Sequence, residues 1–167
     1  MTAREFVDSL WSVYDENQQT GITRCEIEDK LTQCEMEDKL KYVLSNIPSN
    51  EELTRNQAAK ILHIFIRDVL GLPDITDENV LQKASELRDL YDCRTCVADI
   101  MQVYVHGVMD ARYVIEETGM KMFGGGERIA DFELTELTYR LKLMQNKCFV
   151  YKIKKSTTNA SCIQIKT

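Results

Sequence analysis

The chain has 167 residues, 44 % apolar and 29 % charged, the balance of a globular domain and not of a disordered segment. A formal charge of −6 without any Lys/Arg cluster argues against nucleic acid as a partner. No apolar run approaches the ~18 residues that cross a bilayer, so membrane insertion is not expected.

Residues 3–16 read as a helix whose apolar stripe is Phe6, Val7, Leu10, Trp11, Val13 and Tyr14, with Trp11 expected as a core anchor. Arg4, Glu5, Asp8, Asp15 and Glu16 interrupt the start, so residues 1–30 lack the basic-then-apolar pattern of a signal peptide. The location expected is the cell surface if this is part of an exported chain, and the cytoplasm otherwise. Thr23 and Glu26 stand three apart, the capping-box spacing in which each side chain satisfies the other's backbone donor. A helix with Ile27, Leu31 and Cys34 should follow, continuing or restarting over Met36–Leu44 before Pro48 breaks it. Thr54 and Gln57 form a second box, opening a helix with Ala58, Ile61, Leu62, Phe65, Ile66, Val69 and Leu70 that ends at Gly71 and Pro73. His63 lies beside this stripe with no carboxylate pattern near it in sequence, so a structural or surface role is expected. Asp74, Asp77 and Glu78 lack calcium-loop spacing.

Val80 to Leu90 is expected to be helical and leads into Leu87–Met109. There Asp92 is the expected N-cap of a helix carrying Cys96, Val97, Ile100, Val103 and Tyr104, stopped by Gly107. The segment after Met109 reads as helix or insertion. Phe123–Glu127 is a Gly-rich turn without the spacing of a phosphate loop. Ile129–Glu133 opens a helix with Leu134, Leu137 and Leu141. From Cys148 the period changes to two: Phe149, Tyr151 and Ile153, then Ile163 and Ile165, predict a β-hairpin that should dock on the helices.

Six cysteines are present. Cys25–Cys34 and Cys148–Cys162 could be bridged on spacing, which does not establish connectivity. Cys93 and Cys96 form a Cys-x-x-Cys for which three roles stay open: packing, disulfide or redox chemistry, and metal binding. Packing is favoured, because Cys96 sits on the apolar stripe, Asp92 opposes thiolate formation, and the further ligands of a closed zinc site are missing.

Three helix starts share a pattern of an apolar residue, a cap, a basic or polar position, a variable one and an acid or amide: 22–26, 53–57 and 129–133. With Leu87, Asp89, Tyr104, Gly107-Val108-Met109 and Phe123-Gly124, this resembles the S-layer homology family, whose repeats run helix, Gly-Val-Met-type stop, Phe-Gly loop, then a Thr-Arg helix start. The match is clearest over 84–142, partial over 46–83 and degenerate over 1–45. The resemblance implies a mainly α fold, a bundle of two to three degenerate repeats over 1–142; it does not cover the β-hairpin, which is appended over 143–167. It implies a noncatalytic module that anchors exported proteins by gripping anionic cell-wall polysaccharide in grooves between repeats, with no cofactor. It also implies ligand contacts at Thr23, Arg24, Thr54 and Arg55, the Arg pairing with a ligand carboxylate. Asp131 occupies the Arg position of the third motif, where it would repel an acidic sugar. The alternative is a cytosolic protein–protein interaction or regulatory domain on the same scaffold; a third reading is a thiol redox or zinc protein using Cys93 and Cys96. No acid pair, Ser/His/Asp set or nucleotide loop suggests an enzyme.

Overall fold

The computed structural model describes residues 1–19 and 33–144. Thr23, Arg24 and the 23–26 capping box lie outside the described residues, as does the predicted hairpin from Cys148 onward.

The fold is mainly helical with a small two-stranded antiparallel sheet. In chain order come α1 (Ala3–Gln19), α2 (Gln33–Ser45), α3 (Arg55–Ile64), the short α4 (Glu78–Leu81), α5 (Val97–Val105), strands β1 (Tyr113–Ile115) and β2 (Met120–Met122), and, last among the described residues, a helix, α6, over 131–144.

Three helix starts line up at the centre. The Leu53 N–H donates to the Met1 carbonyl at 2.9 Å, and the Ile129 N–H donates to the Leu53 carbonyl at 3.0 Å. Antiparallel bridges join Thr2 to Glu52 and Thr54 to Arg128. The first turns of α1, α3 and α6 are therefore laced together through the residues just before their caps. At α3 the box is complete: Thr54 accepts from the Gln57 N–H, and the Gln57 side chain accepts from the Thr54 N–H. At α1 the same device joins Thr2 and Glu5, whose spacing the sequence reading passed over. At α6 only half survives, since Glu133 accepts from the Ala130 N–H and alanine has nothing to return.

The helix α3 is the central element of the core. Ala58, Ala59, Ile61, Leu62 and Phe65 are fully buried and meet Phe6 and Leu10 of α1 and Leu40 of α2 in one apolar cluster. Each buried Leu, Ile or Phe side chain among these contributes roughly 1.5–3 kcal/mol by leaving water. Trp11 is only partly buried, at the margin of this cluster beside Tyr14; Phe6 and Leu10 fill the interior in its place. The helix widens into a π-helical turn over Phe65–Val69, and Gly71, at φ +69°, ends it as expected.

Two expectations in 80–109 are corrected. The helix from Val80 stops at Glu86, because Leu87 is extended and bridges in parallel to Lys121 of β2. Asp92 is not the cap of α5: residues 88–96 form turns, and Cys96 is the N-cap, with no side-chain bond to the first turn. The end of α5 is as expected. Gly107 has φ +73°, and the N–H groups of Val108 and Met109 fold back onto the Val103 carbonyl, burying both side chains. The segment after Met109, read as helix or insertion, is the β1–β2 hairpin, pairing Tyr113 with Met122 and Ile115 with Met120.

Candidate functional site

The Gly107 stop, β1 and the start of α6 enclose a cleft of about 340 Å³. Arg55 forms its inner wall, with Val108, Met109 and Asp110 on one side, Arg112 above, and Phe132, Glu133 and Arg140 of α6 opposite. The sequence places Arg55 there because it is the first residue of α3, and the α3 start is tied to the strand-like run before α6. The Arg55 N–H donates to the Glu127 carbonyl at 2.8 Å, and the Asn56 N–H to the Gly125 carbonyl at 2.8 Å.

The Arg55 side chain is 3 % exposed and every nitrogen is engaged. Nε donates to the Phe123 carbonyl at 2.8 Å, Nη2 donates to the Asp110 carbonyl at 2.7 Å, and Nη1 is ion-paired with Glu133. The guanidinium also stacks over the Phe123 ring, 4.7 Å from its centroid. Burial, then the neighbouring Arg112 charge, pulls its pKa down to about 10, so it remains charged at neutral pH.

Two further arginines stand nearer the opening. Arg112 Nη1 lies 2.7 Å from Glu133, close enough for charge attraction, yet this buried nitrogen makes no aligned hydrogen bond. Its guanidinium stacks 5.1 Å from the Phe132 ring centroid. Arg140 donates to the Gly107 carbonyl at 3.1 Å, pairs with Asp110 at 2.5 Å and also pairs with Glu136. These carboxylates raise the Arg140 pKa. Asp110 and Glu136 are 62 % and 57 % exposed, so they can give way to a competing acceptor, whereas Glu133, at 11 %, cannot. Three arginines face three carboxylates, and Phe132 and Tyr113 add exposed aromatic faces. Such a wall suits a hydroxyl-rich ligand carrying a carboxylate, which can exchange into the Arg140 fork.

The loop that positions this cleft is held from behind by Asp89. Its carboxylate accepts the N–H groups of Phe123 and Gly124 at 2.6 and 2.7 Å, fixing the Gly-rich turn whose Phe123 carbonyl receives Arg55.

Of the residues expected to touch ligand, Arg55 lines the cleft, while Thr54 caps α3 and is not on its wall. Thr23 and Arg24 lie outside the described residues. Cys93 and Cys96 are joined in a disulfide, which leaves neither thiolate free for a metal. Among the described residues no group of three or more His, Cys, Asp or Glu side chains is placed to hold a metal ion. Arg112, Arg140, Asp110 and Phe132 were missed; the i, i+4 pair Glu136–Arg140 was their one sequence signal.

His63 has a structural role, as expected, but not without carboxylate partners. Carboxylates do accompany it, from distant segments: Nδ1 lies 2.8 Å from Asp99 and Nε2 lies 3.0 Å from Asp74. Both partners only accept, so both ring nitrogens donate, which only the imidazolium can do. The Asp99 hydrogen bond is the main cause that raises the pKa of this buried ring. The clamp pins the loop after α3 onto α5, together with Gln102, which exchanges two 2.9 Å bonds with the Ile75 backbone.

Comparison with protein-family models, with curated proteins and with solved structures gives no match.

Proposed function

We propose that this chain is a noncatalytic binding or anchoring module resembling S-layer homology domains, whose ligand is an acidic bacterial cell-wall glycan. The observation that carries the reading is the position of the cleft: it lies between the Thr54-Arg55 helix start and the Gly107-Val108-Met109 stop, where the resemblance expects a groove. The alignment of the α1, α3 and α6 starts supports a threefold arrangement of degenerate repeats. Of these three starts only α3 carries an arginine at its first position; Ala3 and Asp131 stand at the others. One such groove is therefore expected among them.

In this reading Arg55 builds the cleft wall, and Arg140 and Arg112 meet the ligand carboxylate. Phe132 and Tyr113 offer stacking faces to sugar rings. A second reading, a protein-interaction domain, is favoured by the exposed stripe of Phe132, Tyr139 and Leu143 on α6, which share one helical face.

Co-sedimentation with purified bacterial sacculi tests the first reading. The protein should be retained by intact sacculi and released once the secondary polysaccharide has been extracted. Equal retention on both, or none on either, contradicts it.

A further inference from the structure

The closed Cys93–Cys96 bond has little structural work to do. Its ring encloses only Arg94 and Thr95, so closing it removes little freedom from the unfolded chain. The turn is already held by backbone bonds: Cys96 N–H to the Cys93 carbonyl at 2.9 Å, and Asp92 N–H to the Asp89 carbonyl at 3.1 Å. A bond the turn does not need can open without loss of the fold.

The two sulfurs are differently placed. Cys93 lines a second cleft of about 290 Å³ with Asn56, Asp92 and the Gly124–Gly126 backbone. Cys96 is 6 % exposed in the apolar cluster and caps the nine-residue α5, whose first N–H groups have no side-chain acceptor. Those dipoles favour a thiolate at Cys96. The Thr95 hydroxyl lies 3.6 Å from the Cys93 sulfur and 3.9 Å from that of Cys96, within reach of either as a proton donor. Asp99, the acid of the first turn of α5, is engaged by the His63 imidazolium, which tempers its opposition to the thiolate.

We propose that Cys93–Cys96 is a thiol–disulfide exchange site with an assigned direction, entered at Cys93 from this second cleft by a dithiol reductant. The reductant's thiolate attacks Cys93 Sγ, the Cys93–Cys96 bond breaks, and Cys96 leaves with the electron pair as a thiolate at the α5 start. The reductant's second thiol then attacks the mixed disulfide and releases Cys93. Two electrons pass to the pair, the dithiol becomes a disulfide, and its two protons end on Cys93 and Cys96. The reverse sequence oxidises a partner dithiol. Glycan binding plays no part in this step, so it stands or falls separately from the proposed function.

The test is alkylation of the full chain after treatment with dithiothreitol without denaturant, read by peptide mapping that separates these two cysteines from the other four. Cys93 should be alkylated, with the less accessible Cys96 following more slowly, while the helical circular dichroism is unchanged. A pair that stays closed in the native protein, or opens only as helicity is lost, overturns the proposal. Direction is read from single variants exposed to glutathione disulfide. Cys96→Ser should form the mixed disulfide at Cys93 about tenfold faster than Cys93→Ser forms it at Cys96, because the remaining thiol is accessible only in the first. Equal or reversed rates overturn the assignment of Cys93 as the entry point.

Discussion

The Arg55 guanidinium and the Glu133 carboxylate form a buried ion pair that ties the first turn of α3 to the first turn of α6. Arg112 shares the same carboxylate from the cleft side, so Glu133 is the common counter-ion of the inner and outer arginines. Removing Arg55 leaves Glu133 with Arg112 alone and takes the donor from the Phe123 and Asp110 carbonyls, and breaking such a buried pair costs about 3–5 kcal/mol. Arg55→Ala should therefore lower stability in urea unfolding by that amount, while Thr54→Ala, which deletes a cap, should cost only about 1 kcal/mol. Equal losses for the two variants would contradict the role given to Arg55.

Asp89 accepts two backbone N–H groups, and hydrogen bonds to a charged group are worth about 1.5–3 kcal/mol each. Asp89→Ala should cost about 3 kcal/mol in total, and Asp89→Asn, which keeps one acceptor oxygen, about half as much. Hydrogen exchange at Phe123 and Gly124 should accelerate in both variants. Unchanged protection at these two amides would show that the loop holds itself.

His63 makes stability fall as pH rises. The fold favours the imidazolium and raises its pKa above the ordinary 6.5, through Asp99 first and then Asp74. The stabilisation is complete below 6.5 and is lost as pH climbs through the higher folded-state value. His106 acts oppositely: burial, then the His63 charge, lowers its pKa, so its neutral form costs stability on acidification. The His63 contribution is therefore the difference between the parent and His63→Gln, measured as unfolding free energy from pH 5 to 9. That difference should shrink steadily toward the alkaline end; a flat difference would contradict the clamp.

Gly125 faces Asn56 so closely that a Cβ there would sit 2.0 Å from the Asn56 Oδ1. Gly125→Ala should cost roughly 1–3 kcal/mol by overpacking. Adding Asn56→Ala removes the obstruction and should recover most of that loss, a coupling of about 1 kcal/mol or more in a double-mutant cycle. Additive losses would mean the two residues do not meet.

What the sequence revealed follows the range of the interactions. The α3 start, the Gly71 and Gly107 stops and the apolar stripe of α3 are local, and periodicity and capping chemistry expose them. Strands β1 and β2 were not legible because Tyr113, Val114 and Ile115 are all exposed, so no buried–exposed alternation marks them. The Asp74–His63–Asp99 clamp joins residues 11 and 36 apart, which no local pattern reveals. The same holds for the cleft: Arg55 carried a signal through its capping box, but Arg112 and Arg140 reach it through tertiary structure. At Cys96 the helix start was misplaced because Asp92 is the better capping residue, while backbone bonds to the Asp89 and Cys93 carbonyls hold that stretch in turns.

The central claim is that the cleft beside Arg55 grips an acidic glycan through its outer arginines. Arg140→Gln tests it most directly, since Arg140 is partly exposed and its partners Asp110 and Glu136 remain solvated when it is replaced. In sacculus co-sedimentation the variant should keep the parental unfolding midpoint within a few degrees and bind about tenfold more weakly, the loss expected for one charge-assisted contact. Parental affinity in a folded Arg140→Gln protein would contradict the account.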